Sequence, residues 1–175
     1  HGSLNRPSAV SAMSTVTHVT HEALQKVGGI GAVLDGLLGA RAYREAVGRT
    51  FLVGPGHGLA DERKLAEVGE VLYATRTGAG SAAIRARLEP VAQKFDVNLV
   101  YGRRKLTGGS EPSQAEVLLV DATHLNRRIF ENFKQTLQDR FGLGSDRFSD
   151  VEDYLLYLKM AEPALEAVRA LLGRT

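Results

Sequence analysis

The stretch that decides the fold extends from Thr15 to Gly31 and reads TVTHVTHEALQKVGGIG. Its first six residues are rich in β-branched side chains, which is typical of a β-strand. The glycines at its end precede segment 32–47, where apolar residues recur at helical spacing. A strand, a glycine turn and a helix in this order predict the first unit of an α/β domain.

The remaining chain repeats this alternation of strand-like and helical patterns. Short apolar runs predict further strands at 49–54, 70–75, 96–102 and 116–121. Helical patterns lie between or after them at 60–68, 82–95, 125–141 and 151–172. The nearly continuous apolar run at 116–121 suits a strand that is covered on both faces. The sequence therefore predicts an α/β fold with a Rossmann-like, mostly parallel sheet flanked by helices.

Glycine, proline and capping residues mark boundaries within the predicted helices. Gly48 is placed to end the first helix. Pro90 predicts a break or kink, and Pro163 predicts that a second helix starts within the last helical region. Ser149 and Glu152 have the spacing of a capping box for that region.

Composition excludes several classes of function. The chain has 175 residues, of which 43% are hydrophobic, and a formal net charge of +2. This even charge balance does not favour nucleic-acid binding, and no apolar run approaches the roughly 20 residues of a membrane helix. The chain has no cysteine, which excludes disulfides, thiolate metal sites and a cysteine nucleophile. We expect a cytoplasmic protein with no nucleic-acid or membrane partner.

The first twelve residues show no apolar periodicity and end just before Met13. We interpret residues 1–12 as an expression tag, with a native disordered leader as the alternative. The domain then spans 13–175.

The glycine turn carries the main chemical signal. Gly28 and Gly29 allow backbone amides to approach a ligand closely, and the following helix directs its positive end at the same point. Lys26 adds a full positive charge, so the turn suits a pyrophosphate or a sugar oxyanion. The turn is not a Rossmann fingerprint, because Leu34 stands where that motif requires glycine. Alternatively, the glycines only pack the helix in an unrelated Rossmann-like protein.

Residues 22–30, EALQKVGGI, together with Val33 resemble the N-terminal signature of glycogen synthases. The later run FLVGP at 51–55 is similar to the end of the second strand in that family. The KVGGI form and the four-residue step from Glu22 to Lys26 are closer to the animal and fungal type. The bacterial and starch-synthase type usually reads KTGGL. The resemblance covers residues 16–55.

This resemblance implies a GT-B glycosyltransferase, with two Rossmann-like domains that face a cleft. Such enzymes transfer glucose from UDP- or ADP-glucose to an α-1,4-glucan acceptor with retention at the anomeric carbon. The nucleotide sugar is a substrate, and no cofactor is implied. By resemblance, Lys26, Gly28 and Gly29 would contact the phosphate and sugar of the donor. Glu22 would either join them or orient the loop.

The family pattern also includes a further strand that bears a histidine and a second domain with most of the catalytic residues. We expect these elements beyond residue 175, so the chain by itself should not transfer glucose. A missing strand would expose a sheet edge and favour a homodimer. The alternative function is a noncatalytic module that binds a nucleotide sugar or a glucan. The sequence that follows residue 175 in the gene would distinguish the two.

Histidines provide weaker candidates for ligand contact. His57 lies in the glycine-rich loop GPGHG after a predicted strand, which makes it the best of them. His18 and His21 are interpreted as packed or surface side chains, with a position in the cleft as the alternative.

Charged residues give three further interpretations. Asp121 could accept a hydrogen bond from a sugar hydroxyl; alternatively, Asp121 or Thr123 caps the next helix. Segment 103–105, RRK, could attract a polyanion, but a solvated loop is favoured. No spacing of histidines and carboxylates predicts a metal site.

Overall fold

The computed structural model describes residues 14–24, 28–109 and 112–174 of the chain. Strands in these ranges are β1 (Ser14–Val19), β2 (Val47–Pro55), β3 (Gly69–Ala74), β4 (Ala79–Gly80), β5 (Asn98–Leu106) and β6 (Ser113–Asp121). Helices are α1 (Gly29–Gly39), α2 (Arg41–Ala46), α3 (Ala60–Val68), α4 (Ala82–Phe95), α5 (Arg127–Phe141) and α6 (Glu152–Leu171). A short 3₁₀ helix, Ser145–Phe148, precedes α6.

The strands form one sheet in the order β1-β2-β6-β5-β3-β4. β1 is parallel to β2 and β2 to β6, whereas β5 is antiparallel to both β6 and β3. Hence β1, β2, β6 and β3 point in one direction, and β5 and the short β4 in the other. The predicted Rossmann-like α/β fold is confirmed. The reversed strands arise because the β3–β4 and β5–β6 connections are too short for a parallel crossover.

Helices cover both faces of the sheet. α1 and α3 pack on one face, and α4 and α6 pack on the other. The central strands supply both cores, because Phe51, Leu52 and Val53 of β2 are all buried. The same is true of the run 117–120 in β6, which confirms that this strand is covered on both faces. None of the helices in the described ranges is both long and apolar enough to span a bilayer.

The predicted extent of the first helix is wrong. Two helices, α1 and α2, replace it and are separated at Ala40, whose backbone is extended with ψ 135°. β2 begins at Val47, so Gly48 lies in a strand and does not end a helix. The interruption lets Gly39 approach the β5–β6 connection, where a Cβ on Gly39 would lie 2.7 Å from the nitrogen of Gly109. This backbone contact has no local sequence signal.

The last helical region also differs from its prediction. α6 is one continuous helix, and Pro163 is buried within it and does not start a second helix. Its neighbours Met160, Ala164 and Ala167 are buried, and this packing offsets the hydrogen bond that proline cannot donate. α4 likewise continues through Pro90 to Phe95.

The capping box predicted at Ser149 and Glu152 is wrong. Val151 precedes the first turn of α6, and no side chain caps that turn. The Ser149 amide instead donates to the Asp146 carbonyl over 3.3 Å at the end of the 3₁₀ helix. Ser149 thus ends the 3₁₀ helix, whereas Glu152 is the first residue of α6.

A buried ion pair joins α1 to β5. Arg104, in the charged triplet predicted to be a solvated loop, is in β5 and is only 3% exposed. Its guanidinium forms a salt bridge with the buried Asp35 of α1. Arg104 Nη1 also donates to the carbonyls of Glu22, at 3.2 Å, and Ala23, at 3.4 Å. One side chain therefore fixes the helix and the loop that follows β1.

Replacing Arg104 should strongly destabilise the fold. We expect Arg104→Ala to lower the free energy of unfolding by about 3–5 kcal/mol, because Asp35 would remain buried without its partner. Arg103→Ala is the matched control: it removes the adjacent, half-exposed arginine, whose partner Glu70 lies 3.7 Å away. That exposed pair should contribute about 0–1 kcal/mol. Equal effects of the two variants in urea unfolding would contradict the assignment.

A second polar network anchors the C-terminal end of α6 at the start of β2. The Leu171 carbonyl accepts hydrogen bonds from Arg87 Nη1, at 2.9 Å, and Arg49 Nη1, at 3.2 Å. The Arg49 guanidinium binds both carboxylate oxygens of Glu116, at 2.5 and 2.7 Å. The Tyr101 hydroxyl donates a hydrogen bond to the same carboxylate. Burial and this hydrogen bond raise the pKa of Tyr101 to about 12.

The raised pKa of Tyr101 should be visible in an alkaline titration. The folded state favours the neutral phenol, so its stabilising contribution is complete below about pH 10, the usual tyrosine pKa. The contribution is lost as the pH rises through the folded-state value of about 12. Tyr101→Phe should remove the highest component of the tyrosinate absorbance titration. Tyr157→Phe should leave that component in place, because its raised pKa results from burial and Asp153.

Candidate functional site

Segments that follow four strands meet at one edge of the sheet. β1, β2, β3 and β6 share a direction, so residues 20–24, 56–58, 75–78 and 122–126 lie at their carboxyl ends. We call this region the carboxyl edge. Open α/β sheets bind ligands at this edge. Glu22 and His57 lie in these segments, Asp121 directly precedes one of them, and Gly28 binds Glu22, whereas the triplet 103–105 lies toward the other ends of the strands.

The Glu22 carboxylate occupies the N-terminal end of α1. Its Oε2 accepts hydrogen bonds from the amides of Gly28 and Gly31, both at 2.9 Å. Gly28 precedes α1 and has no capping side chain of its own, so Glu22 supplies the acceptor. The contact places a negative charge at the positive end of the helix dipole. The amides of this turn therefore already hold an anionic oxygen.

Glycine leaves the surface of this turn open. A Cβ on Gly28 would lie 3.3 Å from Oε1 of Glu22, whereas a Cβ on Gly29 would meet nothing within 4 Å. The backbone at Gly29 is thus accessible to a ligand. Lys26, the cation of the predicted site, lies outside the described residues.

Contacts with β2 and β5 fix the segment that carries Glu22. The Thr20 amide continues the pairing with β2 by donating to the Val53 carbonyl over 2.9 Å. Ala23 and Leu24 are buried, and Arg104 binds the carbonyls of residues 22 and 23. Gly54 permits this close packing, because a Cβ there would lie 3.0 Å from the Cβ of Ala23. The position of Glu22 therefore depends on β2 and β5 as well as on its own segment.

His57 lies on the next loop of the carboxyl edge. Its amide donates to Oδ2 of the buried Asp61 over 2.6 Å, while its side chain is exposed. Gly58 has a φ of 95°, which requires glycine and turns the loop into α3. The structure thus places His57 in a constrained loop, whose backbone is bound to the start of α3.

Asp121 and Arg76 form an ion pair at the same edge. Arg76 Nη2 donates to Asp121 Oδ2 over 2.9 Å, and Asp121 Oδ1 accepts from the amide and hydroxyl of Thr123. Burial acts to raise the pKa of Asp121, but the hydrogen bonds from Thr123 and the Arg76 guanidinium together lower it. Asp121 is consequently an ionised acceptor. The Arg76 side chain is 37% exposed and can also meet solvent or a ligand.

The interpretation of Asp121 and Thr123 as helix caps is wrong. Asn126 caps α5, and its Oδ1 accepts from the amides of Arg128, at 3.1 Å, and Ile129, at 3.3 Å. The predicted helix started two residues early, which moved the expected cap toward the strand.

The histidines in and just after β1, His18 and His21, take packed or surface positions. His18 Nε2 lies 3.0 Å from the Tyr43 hydroxyl, and burial lowers the pKa of its imidazole. His21 is exposed, and its ring lies edge-on to Tyr157 with centroids 4.8 Å apart. Within the described ranges, no group of three or more His, Asp or Glu side chains is placed to hold a metal ion.

Sequence reasoning did not identify Arg76, Asp61 or Arg104 as parts of this region. Arg76 follows a strand that points toward the carboxyl edge, so its place in the sequence could have predicted that it lies at this edge. Arg104 had no such signal, since its partner Asp35 is 69 residues away. The described groups at this edge are the carboxylates of Glu22 and Asp61, which accept backbone hydrogen bonds, and the ion pair between Arg76 and Asp121.

The chain matches no protein-family model and no curated protein.

Removing the Glu22 carboxylate should free the two amides of the turn. We expect Glu22→Ala to lower the free energy of unfolding by about 1–2 kcal/mol, the usual effect of losing a helix cap. Inorganic phosphate should restore part of this loss by taking the place of the carboxylate. The measurement is the melting temperature with and without phosphate.

Glu67→Ala is the matched control, because Glu67 is exposed on α3. Its melting temperature should respond to phosphate as the unmodified protein does. An equal response of Glu22→Ala and the control would contradict an anion-binding turn.

Proposed function

We propose that this chain binds the nucleotide-sugar donor in a retaining glycosyltransferase of the glycogen-synthase type. The donor is UDP- or ADP-glucose, and the acceptor is an α-1,4-glucan. The proposal combines the resemblance of residues 22–30 to the family signature with the contact between Glu22 and the amides of Gly28 and Gly31. We further propose that the protein acts in the cytoplasm.

The Glu22 contact carries the proposal. Two amides that converge on one carboxylate oxygen at a helix N-terminus form an environment that stabilises negative charge. In the proposed function, Glu22 keeps the turn in this conformation. Gly29 and Lys26 then face the diphosphate and the glucose of the donor. Gly29 suits that role because its backbone borders open space.

Neighbouring loops supply the other groups expected of a sugar-nucleotide site. The exposed side chain of His57 and the half-exposed Arg76 lie on loops of the same carboxyl edge. Arg76 is a second cation that could approach the diphosphate, although Asp121 already neutralises part of its charge. Asp121 suits a hydrogen bond to a sugar hydroxyl less well, because both of its oxygens already accept hydrogen bonds.

The proposal assigns these residues to donor binding and not to the chemical step. The resemblance implies that retention results from the geometry of a two-domain cleft and from the departing diphosphate. Lys26, Gly28, Gly29, Glu22 and His57 therefore determine where the donor lies. The groups that promote its cleavage belong to the second domain that the resemblance implies.

Donor binding should depend on Lys26. We expect UDP-glucose or ADP-glucose to bind the chain in isothermal titration calorimetry. Lys26→Ala should weaken the preferred donor by roughly 10- to 100-fold, which corresponds to loss of one hydrogen bond to a charged group. Comparing the two donors identifies the base that the protein prefers.

Lys105→Ala is the matched control, because Lys105 is exposed on β5 near the opposite edge of the sheet. Its donor affinity should equal that of the unmodified chain. The assigned role of Lys26 is wrong if Lys26→Ala binds the donor as tightly as this control.

A further inference from the structure

β1 is an outermost strand of the sheet among the described strands, and its outer side, here called the β1 edge, carries backbone groups that no described strand pairs with. It is the terminal strand and pairs only with β2 among the described strands. The Thr20 amide donates to the Val53 carbonyl of β2, so alternate residues at 18 and 16 also direct their backbone groups toward β2. The N–H and C=O groups of Thr15, Thr17 and Val19 therefore face outward.

Apolar surface lies on both sides of this edge. On the α6 side, a groove of about 370 Å³ is lined by Thr17, Val19 and Val53 together with residues of α6. On the α1 side, an open cavity of about 730 Å³ includes Ile30 and Val33. Val19, Ile30, Val33 and Leu165 are 59%, 62%, 69% and 59% exposed. A strand added to β1 would cover apolar surface on both of its faces.

The edge lacks the usual protection against strand addition. Natural edge strands carry lysine, proline or inward-pointing charges that prevent pairing. Ser14–Val19 contains no charged residue and no proline, and its one register irregularity lies at the far end, between Ser14 and Thr15. Within the described residues, the segment from Thr15 to Val19 therefore has no feature that would block pairing.

We propose that a second copy of this chain pairs with β1 in an antiparallel orientation, across a twofold axis at Thr17. Thr17 then lies opposite Thr17 of the second copy, and Thr15 lies opposite Val19 in both halves. Each of these facing pairs exchanges two backbone hydrogen bonds, so three pairs form six. This register is the one that uses all of the outward-facing groups.

An uncharged edge favours a second copy as the occupant. A twofold axis at Thr17 places that position against itself, so a charged residue there would face its own like charge, and the uncharged threonine avoids this repulsion. The strand also fits the groove that it would cover, because Thr17 and Val19 line that groove on the α6 side. Side chains of the second strand continue this surface and cover Val19 and Leu165.

The size of the interface predicts a reversible dimer. Six residues at about 3.3 Å each give an edge of roughly 20 Å, and three layers about 10 Å thick give a width of roughly 30 Å. Each copy would bury on the order of 600 Å², so the total is about 1,200 Å², at the lower end of specific interfaces. The dimer should dissociate on dilution.

Sedimentation equilibrium of the full chain tests this proposal. Thr17→Pro removes an outward N–H that β1 does not use in pairing with β2, so the monomer should keep its circular dichroism spectrum. Association should weaken by roughly 30-fold, since two of the six hydrogen bonds are lost. Thr17→Val keeps the N–H and should associate at least as tightly as the unmodified chain.

Crosslinking provides a second test of the register, since the chain contains no cysteine. Thr17→Cys should form a disulfide between two copies, because the facing Cα atoms would lie about 5.5 Å apart, within disulfide range. Thr15→Cys should not, since its two copies would be roughly 13 Å apart along the strands.

Two outcomes would overturn the proposal. One is an unmodified chain that stays monomeric at every concentration, and the other is a Thr17→Pro variant that associates like Thr17→Val. Either result would mean that the edge takes a strand from a different source or none. Donor binding at the carboxyl edge would be unaffected.

Discussion

The buried guanidinium of Arg104 is the interaction on which the candidate site depends. A charge in a protein interior is tolerated only where partners satisfy it, so the groups around it have little freedom to move. Asp35 neutralises Arg104, and the carbonyls of Glu22 and Ala23 accept hydrogen bonds from its Nη1. Because Asp35 is in α1 and Glu22 and Ala23 follow β1, one side chain binds both elements.

The common direction of four strands explains why the loops that carry His57 and Arg76 lie at the same edge as Glu22. The antiparallel β5 lies between β6 and β3, yet those two strands still point the same way as β1 and β2. The hairpin thus places Arg104 in the middle of the sheet without removing any loop from the carboxyl edge. At the opposite edge, Arg49 and Arg87 hold the end of α6. The Arg49–Glu116 network thus lies at the other ends of the strands from the candidate site.

Local sequence patterns predicted most strands and helices, since alternation and helical spacing involve neighbouring residues. They failed where a distant partner decides the outcome. The triplet at 103–105 resembled a loop because Arg104 is neutralised by a residue of another element. In the site, the contact between Glu22 and the glycine turn spans six residues and was among the predicted alternatives. The pair Arg76–Asp121 spans 45 residues, and no sequence pattern joins its members.

The contact between Glu22 and the turn has a consequence for the entropy of ligand binding. Glycine loses more conformational freedom on ordering than any other residue, so a free glycine turn is costly for a ligand to fix. Here the Glu22 carboxylate restrains Gly28 and Gly31 before any ligand arrives. That ordering cost is met during folding, and the turn is pre-organised. For the proposed donor, affinity would then depend mainly on the contacts that the ligand adds.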